Sequence, residues 1–153
     1  MMINRKKIIK NNRGQALVEF ALVLPMLLLL VFGIVEFGRA YYTYISVAGV
    51  ARETARAAVV RVNDTDMETK MDNVTSGLDI ADITVRLDHG DGGGFKTIYD
   101  SDGFDASGYS PTEPKGTQID AEVQYVFHLF VPVISDIVGE TMNLTASCKM
   151  AME

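Results

Sequence analysis

The sequence has 153 residues, which is enough for one domain or for one small domain with an accessory segment. Apolar residues make up 48% and charged residues 22% of the chain, and these values exclude a wholly disordered protein. The 14 basic and 20 acidic residues give a net charge of -6, which argues against a nucleic-acid-binding protein. Because there is one cysteine, Cys148, no disulfide can form within the chain.

The charge is distributed unevenly along the chain. Residues 1–14 hold five basic residues and no acidic residue, whereas residues 15–153 hold 9 basic and 20 acidic residues. A basic N-terminal tip on an acidic body indicates a defined topology across a membrane.

An apolar run follows this tip. Residues 16–35 contain one charged residue, Glu19, and twenty helical residues span about 30 Å, the thickness of a bilayer core. The positive-inside rule predicts a single-pass membrane protein with its N-terminus in the cytoplasm and the rest outside. The alternative is a cleaved secretory signal peptide. It is disfavoured because the run is long and Gly38-Arg39-Ala40 is a poor cleavage site.

Glu19 needs an explanation, because a carboxylate at the centre of a membrane helix costs roughly 2.5–3.5 kcal/mol. Glu19 lies near the cytoplasmic end of the run, so its carboxylate could reach the headgroups. The alternative is a specific partner. If the chain is cut after Gly14, Gln15 becomes a new N-terminus, and its amine could pair with Glu19 of a neighbouring subunit.

The stretch from Gly14 through QALV to Glu19-Phe20 resembles the prepilin-peptidase site of the Flp/Tad type IVb pilins. Residues 13–57 resemble the TadE-like family of minor pseudopilins from tight-adherence pilus systems. The features that carry this resemblance are Gly14, Glu19-Phe20-Ala21, Leu24-Pro25, the leucine run, Glu36 with Gly38-Arg39, and the pairs Ala51-Arg52 and Ala55-Arg56.

The resemblance implies a cleavage site at Gly14 and Gln15 and an assembly motif at Glu19 and Phe20. It implies as partners a prepilin peptidase, other pilins and pseudopilins, the pilus assembly platform in the inner membrane, and the lipid bilayer. It further implies that the protein primes, or is incorporated into, a pilus on the cell surface.

The helix is predicted to continue beyond the membrane. Residues 39–62 are rich in alanine and contain no proline, so they predict a stalk helix. Pro25 predicts a kink within the membrane helix. Tyr41, Tyr42 and Tyr44 suit either an aromatic belt at the outer interface or the protein's own core.

Residues 63–153 predict a small head, which makes the chain an α+β protein with an antiparallel β-sheet. Asn63 to Asp66 offer caps for a second helix, whose methionines Met67 and Met71 form a packing face. Strands are predicted at 83–87, 95–99, 118–129 and 142–152, and the last two alternate as antiparallel neighbours. Residues 130–139 form an apolar connection that suits a buried turn better than a surface patch for a partner.

Chemical sites are weakly indicated. Asp100, Asp102 and Asp105 resemble part of a calcium loop but lack the full ligand set of an EF-hand, so a solvated acidic loop is the preferred interpretation. His89 is interpreted as a solvated loop histidine and Cys148 as a small buried hydrophobic residue. No nucleophile–base pair stands out, so we expect no enzyme and no cofactor.

The predicted organisation is a basic leader (1–14), a transmembrane helix (15–38), a stalk helix (39–62) and an extracytoplasmic head (63–153). The predicted function is that of a processed minor pseudopilin in the assembly of a Tad/Flp type IV pilus for adhesion. The alternative is an uncleaved, signal-anchored extracytoplasmic domain that binds a ligand or cation through its acidic loop.

Overall fold

The computed structural model describes residues 12–109 and 116–152. Most of the predicted basic leader and residues 110–115 of the acidic loop lie outside the described residues. By its contacts the chain divides after Val35, and the second part, Glu36–Glu153, contains the β-sheet. The α+β class predicted for the chain is confirmed.

Helix α1, Asn12–Val60, is 49 residues long and contains Pro25 in its interior. At 1.5 Å per residue it measures about 73 Å. It ends at Arg61, whose φ of 58° lies in the left-handed region. The N–H groups of Arg61 and Val62 then donate to the carbonyls of Ala58 and Ala57, at 3.1 and 3.3 Å. This pair of bonds is the Schellman arrangement that closes helix C-termini.

Helix α2, Asp64–Thr75, begins as its sequence predicts. The Asn63 side chain caps it by accepting a hydrogen bond from the Asp66 N–H at 2.8 Å. Met67 and Met71 are fully buried, so their interpretation as a packing face is confirmed.

Five antiparallel strands form one sheet in the order β3-β2-β1-β4-β5. The strands are β1 Ile83–Asp88, β2 Lys96–Asp100, β3 Gly103–Phe104, β4 Gln118–His128 and β5 Thr141–Ala151. The antiparallel pairing of β4 with β5 is confirmed over eleven residue pairs, from Gln118 opposite Ala151 to His128 opposite Thr141. The two-residue strand β3 was not predicted, since so short a segment has no periodicity to detect.

The core of the head combines the second half of α1 with α2 and the sheet. Ala51 and Ala55 of α1 are buried in it together with Val85 and Val123 of the sheet. These two alanines therefore serve close packing within the chain itself. Cys148, on the edge strand β5, is half-buried and packs against this core. Its predicted burial is thus only partial, because an edge strand has a neighbour on one side.

The tyrosines after the apolar run do not belong to this core. Tyr41, Tyr42 and Tyr44 are 59%, 72% and 44% exposed. The belt interpretation therefore agrees with their exposure, and the core interpretation is wrong.

The buried turn predicted between β4 and β5 is also wrong. This connection contains a short helix, α3 Pro132–Val138, with no buried residue. Strand β1 first pairs with β4 at Tyr125, so the last residues of β4 pair with β5 alone. The hairpin thus extends past its neighbour, which leaves its connection uncovered.

His89 is buried rather than solvated, contrary to the sequence-based interpretation. It is 1% exposed, and its Nε2 lies 3.1 Å from the carbonyl oxygen of Gly108. The short 3-10 turn Ala106–Gly108 brings this carbonyl to the end of β1. Because His89 and Gly108 are 19 residues apart in the sequence, no local pattern predicts this contact.

Tyr109 links this loop to the end of α1, because its hydroxyl donates to the Val62 carbonyl at 2.7 Å. Burial, followed by the negative charge of Asp64, raises the pKa of Tyr109 to about 12. Its neutral form is therefore favoured in the folded state. This contribution to stability is complete below about pH 10, the pKa of an unfolded tyrosine, and is lost as the pH rises through 12.

We expect Tyr109→Phe to lower the free energy of unfolding by about 1 kcal/mol at pH 7, since one hydrogen bond is lost. Between pH 10 and 12 the wild type should lose about 2 kcal/mol that the variant does not lose. Urea denaturation of the detergent-solubilised chain at several pH values measures both quantities. A stability difference that stays constant over this pH range would contradict the assignment.

Candidate functional site: the N-terminal helix and its junction with the head

The first segment of the candidate site runs from Gly14 to Phe20 on α1. The Gln15 side-chain amide donates to the Glu19 carboxylate at 3.2 Å across one helical turn. Phe20 is 62% exposed, and a Cβ built on Gly14 would meet no atom within 4 Å. The described structure therefore brings Gln15 and Glu19 together and leaves Gly14, Glu19 and Phe20 open to other molecules.

Glu19 has no cation within the described part of the chain, where none of the ion pairs involves it. Its single hydrogen bond comes from a neutral amide. In an apolar environment a carboxylate with one neutral donor remains poorly compensated, because the cost of removing a charge from water far exceeds one such bond.

The helix after this segment exposes an almost unbroken apolar surface. Leu22 and Met26 are 75% and 79% exposed, and Ile34 near the other end is 65% exposed. Among the described helices, α1 is the one that is long and apolar enough to cross a membrane, and its apolar window lies near the N-terminus. This agrees with a single-pass membrane protein.

A buried carboxylate follows directly after the apolar run. Glu36 is 5% exposed. Both of its oxygens lie 3.0 Å from the Arg39 guanidinium, and Oε1 also accepts the backbone N–H of Phe130 at 2.8 Å. The same guanidinium lies 5.1 Å from the ring centre of Phe127 and 6.0 Å from that of Phe130. This group of four residues, the junction cluster, joins α1 to the connection that follows β4.

A family model described as TadE-like protein matches residues 14–56. The resemblance to the TadE-like family is confirmed. The TadE-like segment begins at Gly14 and ends within α1, so it includes Glu19, Phe20, Pro25 and Glu36 but no strand of the sheet. The family suggests involvement in a Tad pilus system and interaction with other pilus components. No curated protein and no solved structure matches the chain significantly.

The role of Glu36 was not found from the sequence, where it served only as part of the resemblance. A usable signal was present, however. Glu36 is the first charged residue after the apolar run, and Arg39 stands three residues later on the same helix face. The contact with Phe130 spans 94 residues and had no local signal.

The acidic loop outside the TadE-like segment uses its carboxylates for turns. Asp100 accepts the Asp102 N–H at 2.9 Å, and Asp105 accepts the Ser107 N–H at 2.8 Å. Hydrogen bonding from Ser107 lowers the pKa of Asp105. Within residues 12–109 and 116–152, no three His, Cys, Asp or Glu side chains come close enough together to hold a metal ion. Of the metal candidates, Asp100 and Asp105 thus act here as turn and cap residues, and Asp102 donates its backbone N–H to the first of these turns.

Proposed function

We propose that this protein is a minor pseudopilin that is cut between Gly14 and Gln15 by a prepilin peptidase and takes part in assembling a Tad/Flp type IV pilus for adhesion. Its N-terminus lies in the cytoplasm and its head lies outside the inner membrane. The observation that carries the proposal is that the family match begins at Gly14, directly before an exposed apolar helix whose one charged residue is Glu19.

The surroundings of Gly14 indicate that another protein, and not the fold of the described residues, requires glycine at this position. Gly14 lies in the first turn of α1, and glycine is a poorer helix former than alanine. A side chain at this position would have open space. Since nothing in residues 12–109 and 116–152 requires glycine here, recognition by a peptidase accounts for its presence.

The geometry of Gln15 and Glu19 supports the next step. After cleavage the α-amine of Gln15 carries a positive charge at the start of the helix, one turn from Glu19 of the same chain. The Glu19 carboxylate, which has one neutral hydrogen bond in the isolated chain, then receives the amine of a neighbouring subunit. Such a pair compensates both charges in the apolar bundle and sets the register between subunits.

Co-expression with and without a prepilin peptidase tests the cleavage. We expect the membrane-extracted product to begin at Gln15 only when the peptidase is present, as measured by intact mass and N-terminal sequencing. Gly14→Val should block processing, because it places a branched side chain at the cleavage determinant.

Gly33→Val is the matched control for Gly14→Val. Gly33 lies in the same helix and also has open space around its Cα, so this variant should be processed normally. A wild-type chain that stays full length beside an active peptidase would overturn the proposal in favour of an uncleaved, signal-anchored protein.

A further inference from the structure

The connection between β4 and β5 carries an exposed apolar patch, which we define as Phe130, Val133, Ile137 and Val138. These side chains are 83%, 52%, 76% and 58% exposed. Val133 and Ile137 are four residues apart on α3 and therefore share one helix face. Such a contiguous apolar surface on an element without a buried residue marks an interaction site.

The junction cluster determines where this patch begins. The backbone N–H of Phe130 is bonded to Glu36, and Glu36 is covalently one residue beyond Val35, the last residue of the apolar run. Residues 16–35 match the thickness of the hydrocarbon core, about 30 Å. Glu36 and Phe130 therefore lie at the level where the hydrocarbon ends and the headgroups begin.

Other residues near this level have the character of a membrane interface. Phe37 is 74% exposed and its ring stacks on that of Tyr41, with centroids 6.5 Å apart. Of these two residues, tyrosine favours the headgroup region because its ring is apolar and its hydroxyl is polar. Arg39 has its charge paired by Glu36 while its guanidinium lies against aromatic rings.

We propose that the apolar patch is a second membrane contact of the head, inserted shallowly into the lipid leaflet on the head's side of the bilayer. The argument is continuity. The patch starts at Phe130, whose backbone N–H is bonded to Glu36, and Glu36 is the residue that directly follows the apolar run. The seven-residue helix α3 measures about 10 Å, so the whole patch stays within reach of the interface.

The charges of the segment agree with a shallow contact that depends on apolar burial. Residues 129–140 contain no Lys or Arg, and their carboxylates are Asp136 and Glu140, both exposed. Attraction to anionic lipids is therefore not the driving force. The carboxylates remain among the headgroups while the apolar side chains enter the upper acyl region, as in interfacial helices.

The absence of tryptophan from the chain permits a direct test. We would introduce single tryptophans into the full-length protein and reconstitute it into phosphatidylcholine vesicles with or without bromine on the acyl chains. Ile137→Trp probes the patch, and Phe37→Trp serves as the membrane-boundary reference. Val60→Trp is the matched control, because Val60 is 68% exposed and lies about 36 Å beyond Glu36 along α1.

We expect Ile137→Trp to emit at shorter wavelength than Val60→Trp and to be quenched by brominated lipid about as strongly as Phe37→Trp. Val60→Trp should emit as in water and lose no intensity. Each position is exposed, so the variants should keep the wild-type circular dichroism. Val133→Trp provides an independent second probe of the patch.

Two results would overturn the proposal. Emission and quenching of Ile137→Trp equal to those of Val60→Trp would place the patch in water. Emission at short wavelength without quenching by brominated lipid would mean that protein, such as a second copy of this chain, covers the patch. Neither result depends on cleavage at Gly14, so this test is independent of the proposed processing.

Discussion

Glu19→Ala is expected to abolish the contribution of this protein to pilus assembly while leaving its insertion into the membrane intact. The substitution removes the one charge from residues 16–35, which makes the helix easier to insert by roughly 1–3 kcal/mol. If the chain is cut after Gly14 as we propose, the substitution also leaves the new amine of Gln15 without an anion in the packed bundle. Breaking a buried ion pair by removing one partner costs about 3–5 kcal/mol, which corresponds to more than a hundredfold loss of association.

The measurement compares pili sheared from cells that carry the wild type or the variant, together with the amount of protein in the membrane fraction. Glu68→Ala is the control, because Glu68 is an exposed carboxylate on α2 outside the apolar run. Glu19→Gln separates charge from hydrogen bonding, and it should fail as Glu19→Ala does. Normal pilus production by both Glu19 variants would refute the register role.

Gly108→Ala is expected to prevent stable folding of the head. A Cβ at this position would overlap the Thr97 carbonyl oxygen and lie 2.9 Å from the Thr97 carbonyl carbon, both backbone atoms of β2. Backbone atoms in a strand cannot move aside without breaking the pairing of that strand. The carbonyl of Gly108 also lies against buried His89, so the shift would disturb that contact as well. We expect a loss of about 3 kcal/mol or more.

Gly77→Ala is the matched control for this substitution. Gly77 is exposed, and a Cβ built there would meet no atom within 4 Å. Its effect on the free energy of unfolding should stay within about 0.5 kcal/mol. Chemical denaturation followed by circular dichroism compares the two variants with the wild type. If Gly108→Ala were as stable as Gly77→Ala, the turn Ala106–Gly108 would not lie as close to β2 as described.

Features that depend on local pattern were predicted well from the sequence. The periodic, alanine-rich stretch after the apolar run continues the helix to Val60, and the Asn63 cap starts α2. The alternation of Ile119, Ala121 and Val123 along β4 places these side chains in the core of the head. These features follow from the side-chain periods of strands and helices, about 2.0 and 3.6 residues, which can be read from the sequence alone.

Apart from the pairing of β4 with β5, contacts between distant parts of the chain were not predictable. The exposure of the β4–β5 connection follows from the hairpin running past β1, and alternation defines faces but not the relative ends of strands. His89 is buried because a turn 19 residues away closes on it.

The amino-acid sequence by itself determined the long apolar helix, the motif from Gly14 to Phe20 and four of the five strands of the head, because each depends on residue type and near neighbours. Only the tertiary structure decided that Glu36 accepts the backbone N–H of Phe130 and that the apolar patch on the β4–β5 connection stands exposed. This hydrogen bond joins α1 to the connection after β4 across 94 residues of sequence. No local pattern encodes such a bond.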